Sequence, residues 1–234
     1  LSARRNLLES VQGLLERTYD MGGLRDVGRF LIGDAGFRRF YGDGNDLRRK
    51  VGSASDGARL LLRECGDGLR AAVYYPDALV ERLEARPPQH GLCDENVDAF
   101  AALVEELDHL LLVAERARQR RPVTLFELEL HANVSKQLVL ERFLVGGIGG
   151  GRRLGRSRRV WLRHHLFGKV RYCDDDPQVR DRYRDAARWA VKLLDALPRR
   201  APHRRLRALR RFHRMDAAGK VRLIDALAAP TGRP

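Results

Sequence analysis

The stretch DENVDAFAALVEELDHLLLVAERARQRRPVTLFELELHANVSKQLVLERFLV, residues 94–145, decides the fold. Val97, Phe100, Ala101, Val104, Leu107, Leu111 and Ala114 recur at steps of three and four, which is one face of a helix. Asp94 stands where a carboxylate can accept the unpaired N–H groups of a first turn. Arg116, Arg118, Arg120 and Arg121 suit the negative end of the helix dipole, and Pro122 ends the pattern. Thr124 and Glu127 form a capping box, Thr-x-x-Glu, that opens a second helix. That helix is apolar on nearly every side (Leu125, Phe126, Leu128, Leu130, Val134, Leu138, Leu140), which predicts a central, buried position. The short link folds the two into an antiparallel hairpin.

Upstream, residues 2–20 read as an amphipathic helix with Leu7, Leu8, Val11, Leu14 and Leu15 inward, stopped at Met21-Gly22-Gly23. Residues 24–57 are punctuated by glycine. Within them, 27–32 reads equally as a short strand or a helical turn, and 42–57 as a loop. Residues 58–65 and 69–75 read as strands joined at Gly66-Asp67-Gly68, and 78–85 as a short helix. Pro87 and Pro88 mark a boundary, because neither continues a helix.

Downstream, residues 146–157 are rich in glycine and contain Gly150-x-x-x-x-Gly155-Arg156-Ser157. A phosphate-cradling loop would carry lysine where Arg156 stands and would follow a strand, so this stretch reads as a flexible loop. Helices are expected over 160–170, over 177–197 behind Asp176-Pro177, over 202–214, and over 217–227 behind Asp216. The expected fold is α+β, mainly α. A mixed part, 1–90, carries the β-hairpin 58–75, and a helical bundle, 91–234, is built on the long helix hairpin.

Composition narrows the class. With 44% hydrophobic and 32% charged residues, the 234-residue chain is that of a globular protein and not of a disordered one. Its longest apolar runs, such as 110–114, are far too short to suggest a membrane span. Glu9, Glu16 and Asp20 make the N-terminal helix unlike a targeting peptide. Three scattered cysteines, without any Cys-x-x-Cys, point to a reducing cytoplasm.

The charge is unevenly placed. Of 45 basic residues, eight lie in 152–171 (Arg152, Arg153, Arg156, Arg158, Arg159, Arg163, Lys169, Arg171) and eight in 199–214, which includes Arg204, Arg205, Arg207, Arg210 and Arg211. Neither segment holds an acid, and the rest of the chain has 29 bases against 31 acids. Such concentration is what a polyanion-binding surface needs, with arginine forks for phosphates and Trp161, Phe167 and Tyr172 for stacking.

A second constellation lies in the hairpin. Glu105/His109 and Glu127/His131 each put a carboxylate and an imidazole four residues apart, on one helix face. In an antiparallel pair the two sets can converge, near Asp98 and Asp108, as ligands for zinc, iron or manganese. No serine lies in Gly-x-Ser-x-Gly. Ser135, one turn beyond His131, suits a local hydrogen bond better than a catalytic triad.

Two functions follow as expectations. The favoured one is a non-catalytic, arginine-rich binding subunit of a larger assembly. It would engage the backbone of RNA or DNA, or an acidic protein surface, and no membrane. The alternative is a metal-dependent enzyme with a divalent transition metal on Glu105, His109, Glu127 and His131.

Overall fold

A computed structural model describes residues 2–41, 57–66, 68–146, 154–169 and 176–229. The fold is α+β, mainly α. The chain opens with α1 (Ser2–Tyr19), and 27–32 is both things the sequence allowed. A 3-10 turn, Val27–Phe30, leads into a two-residue strand, β1 (Leu31–Ile32). A helix the glycines concealed, α2 (Asp34–Tyr41), follows. The hairpin strands are β2 (Arg59–Cys65) and β3 (Gly68–Tyr74), then comes α3 (Asp77–Ala85). β2 and β3 are antiparallel, with Leu60 opposite Val73, while β1 lies parallel on the other side of β3. A two-residue strand has no periodicity, so this third strand could not be read from the sequence.

The helix hairpin is α4 (Val97–Arg118) and α5 (Leu125–Leu144). Every residue of α5 from Leu128 to Ser135 is buried, as its all-round apolar character predicts. Asp94 does not cap α4. The helix starts at Val97, and the Asp94 carboxylate accepts instead from Trp161 Nε1 at 2.8 Å and pairs with His165 at 3.0 Å. The entry to α4 is held by Asn96, whose amide donates to the carbonyls of Arg86 and Gly91 while its oxygen accepts from the Cys93 N–H.

Beyond the hairpin, α6 (Arg156–Arg163) runs into a π-helical turn, His164–Gly168. Then come α7 (Pro177–Ala196), α8 (Pro202–Arg214) and α9 (Ala217–Ala228). Asp176 and Asp216 cap α7 and α9 as expected, accepting from Gln178 and Gly219. The glycine-rich stretch 147–153, most of the loop expected over 42–57, Asp67 and the tail 230–234 lie outside the described residues.

One apolar cluster runs through the protein. Leu7, Val11 and Leu15 of α1 and Leu79 and Leu83 of α3 pack in it with Phe100 and Leu107 of α4, Leu130 of α5 and Phe212 of α8. It therefore draws on both sides of the Pro87-Pro88 boundary. A smaller cluster seats the sheet on the hairpin, with Leu60 and Val73 against Leu110, Val113 and Leu128. No described helix is long and apolar enough to cross a membrane.

Candidate metal centre

The seam between α4 and α5 carries an unusual load of buried charge. Glu105, Glu106, Asp108, His109 and Arg116 of α4 and Glu127, Glu129 and His131 of α5 are all buried. They sort into three separate clusters, and helix geometry explains why. Residues four apart share a face, so Glu105 and His109 point together, as do Glu127 and His131. Glu129, two residues from each of the latter pair, faces roughly the other way round its helix.

The first cluster is Glu105, His109 and Glu129. One ligand atom from each lies within 4.8 Å of the others. His109 Nε2 stands 3.9 Å from Glu129 Oε1, and its Nδ1 stands 3.6 Å from Glu106 Oε2. Both distances are too long for hydrogen bonds. Both Glu106 oxygens and His109 Nε2 are thus buried without a hydrogen-bond partner. Lys136 donates to Glu105 Oε2 at 2.9 Å.

Three carboxylates therefore face one imidazole and one ammonium. Burial opposes charge on His109, but Glu106, Glu129 and Glu105 outweigh it and hold the imidazolium well above its ordinary range. Burial pushes the Glu129 carboxyl well up; His109 pulls it down and Glu105 pushes it up again. Tyr183 of α7 borders the cluster, its phenol raised first by burial and then by the fields of Glu129 and Glu105. Metal–ligand bonds of about 2.0–2.2 Å allow two donors of one ion to stand up to roughly 4.4 Å apart. Three donors round one ion stand at most about 3.8 Å apart at that bond length, so closure on a cation draws the set in by up to roughly an ångström.

Glu127 and His131 do not join this set. Glu127 Oε1 accepts from Arg116 Nη2 at 2.6 Å and from Lys220 Nζ at 2.9 Å, so its carboxylate does not turn back on its own cap. The two cations also donate to the carbonyls of His213 and Met215, which ties the α8–α9 turn to the hairpin. Lys220 is lowered to about 8, first by burial, against the pull of Glu127.

The third cluster centres on Asp108. Its carboxylate accepts from Ser135 Oγ at 2.6 Å and from His131 Nδ1 at 2.8 Å. Tyr19 bonds to Ser135 at 2.8 Å, and His213 Nδ1 to His131 Nε2 at 3.1 Å. Ser135 touches the acid and not the imidazole, so this is a structural network and not a nucleophile activated by a base.

Glu129 was not singled out from the sequence. Its signal was faint: it belongs to an acid-x-acid pair, Glu127-x-Glu129, in an otherwise apolar helix.

Of the basic residues, Arg152, Arg153 and Arg171 lie outside the described residues. Arg156, Arg158 and Arg159 are exposed on α6. Arg163 pairs with Asp195 at 2.6 Å and Lys169 with Asp98 at 2.5 Å. On α8, Arg204, Arg207 and Arg211 are exposed and in line with Arg214, while Arg205 and Arg210 turn partly inward onto backbone carbonyls.

Comparison with family models, with curated proteins and with solved structures gives no match for this chain.

Proposed function

We propose that the protein is a metal-dependent enzyme whose centre is held by Glu105, His109 and Glu129, with Glu106 as a further donor. The observation that carries this reading is the set of buried, unpartnered ligand atoms: both Glu106 oxygens and His109 Nε2. Leaving such groups buried and unbonded costs roughly 1–3 kcal/mol each. A cation that accepts them all removes that cost and offsets the excess of carboxylate. An oxygen-rich set with one imidazole suits a first-row divalent ion, manganese or iron before copper. Such an ion supplies an activated water or a Lewis acid in a water-poor helical seam.

The test is metal content after purification without added metal, followed by titration of chelator-stripped protein with Mn²⁺, Fe²⁺ and Zn²⁺. One equivalent per chain is expected for the native protein, and loss of it in Glu129→Gln and His109→Gln. No binding of any of the three, or equal binding by both variants, excludes the centre.

A second reading, engagement of a nucleic-acid backbone, is favoured by one observation. Arg204, Arg207, Arg211 and Arg214 form a single exposed row on α8, a helix without acids. Arg214 is partly engaged by Asp20 at 2.7 Å. Binding of single-stranded RNA that weakens steeply with salt supports this reading, and binding flat with salt removes it.

A further inference from the structure

A cavity of about 930 Å³ opens between α1, the Val27–Ile32 segment and α3, lined by residues separate from those of the proposed metal centre. Ligand pockets usually hold about 300–1,000 Å³. Its floor is apolar and buried, formed by Leu7, Leu8, Val27, Leu83 and Leu103. Tyr75 adds only its ring, because its hydroxyl donates to the Ala99 carbonyl at 2.6 Å.

The rim has the opposite character. Glu9, Asp26, Asp77 and Glu84 line the cavity and are exposed, and among the described residues no lysine, arginine or histidine lines it. That balance runs against the chain as a whole, where bases outnumber acids 45 to 31. Two features set the rim in place. Asp26 adopts a left-handed backbone, φ 52°, at the turn into the cavity wall, and it pairs with Arg29 at 3.3 Å. Gly33 lets Asp77 approach: a Cβ there would fall 2.2 Å from Asp77 Oδ1.

We infer that this cavity binds a cationic amphiphile, an apolar chain or ring bearing an ammonium group. The tail fills the floor and gains from leaving water. The ammonium stays at the mouth, where exposed carboxylates from α1, α3 and the turn before the 3-10 segment line the cavity and can serve as charge-assisted acceptors. A carboxylate-headed molecule of the same length meets four acids of like charge at the rim, where Arg29 is already paired with Asp26.

The test is calorimetric titration of the full chain with three probes of equal length, octylammonium, octanol and octanoate. Octylammonium should bind one to one, octanol about tenfold more weakly for want of the charged head, and octanoate not at all. Val80→Phe adds bulk at a half-buried lining position and should abolish binding. The double variant Asp26→Asn/Asp77→Asn, at exposed positions, should bring octylammonium down to the level of octanol. Failure of octylammonium to bind overturns the inference. So does octanoate binding as well as octylammonium, or an affinity for octylammonium that the double variant leaves unchanged.

Discussion

The imidazoles of His131 and His213 meet at 3.1 Å, Nε2 to Nδ1, although 82 residues separate them in the chain. Asp108 sets the direction of that bond. A carboxylate only accepts, so His131 Nδ1 carries the proton that faces Asp108. His131 Nε2 is then bare and accepts from His213 Nδ1–H. Both rings are held neutral. Burial pushes both below the ordinary range, His213 to about 2 with His131 and Lys220 adding to the effect.

Stability should therefore depend on His213 in acid. Between its ordinary 6.5 and about 2, the unfolded chain holds a proton on this residue that the folded protein does not. Its contribution is full above pH 6.5 and is lost as pH falls, by up to about 1.4 kcal/mol per pH unit. Glu129, raised by burial, acts in the opposite sense, so the comparison must be with a variant. His213→Asn keeps a donor near Nδ1 and does not titrate. Urea unfolding from pH 7 down to 4 should show a slope against pH shallower in the variant by about one proton. Parallel curves would contradict the neutral assignment.

The Arg116–Glu127–Lys220 cluster should be far more sensitive to loss of its acid than to loss of one base. Glu127→Ala leaves two buried cations facing each other, at a cost of about 3–5 kcal/mol in urea unfolding. Lys220→Met keeps the Arg116–Glu127 pair and adds an apolar chain of similar length, so its cost should be smaller. Equal costs would mean that the three charges do not act as a unit.

At the proposed metal centre, removing a charge should act on stability in opposite senses with and without metal. In chelator-stripped protein, Glu106→Gln relieves a buried carboxylate that has no hydrogen-bond partner and should stabilise by about 1–3 kcal/mol. With metal present the same change should weaken binding by at least about tenfold, the usual cost of disturbing a supporting ligand. Thermal unfolding with and without Mn²⁺ reads both effects. A variant destabilised in both conditions would show that Glu106 serves the fold alone.

The α8 row gives a countable prediction. If Arg207 and Arg211 each neutralise a phosphate, Arg207→Glu/Arg211→Glu should weaken RNA binding. It should also lower the slope of log K against log salt by about 1.4 for single strands. An unchanged slope would place any RNA contact elsewhere on the protein.

Much of the architecture was written locally. The helix hairpin follows from three- and four-residue apolar spacing on either side of Pro122, and the starts of α5, α7 and α9 follow from Thr124, Asp176 and Asp216, whose side-chain oxygens accept from the first turn. These are interactions between residues within about a turn of each other, so the sequence shows both partners at once. The short elements were hidden for the same reason. β1 exists because Leu31 and Ile32 pair with Val73 and Tyr74, some forty residues away.

The candidate site was legible only in half. One helix brings Glu105 and His109 together, and that much the four-residue spacing determines. Which residue of α5 meets them depends on how the second helix is rotated about its own axis, and packing of its whole apolar surface sets that rotation. It turned Glu129 and Lys136 toward Glu105, and sent Glu127 and His131 to partners on α9 and α8. The sequence by itself determined that charge would be buried in this seam. Only the tertiary structure decided which charges share a cluster, because a helix whose hydrophobic residues surround it carries no local signal of which side its neighbour will take.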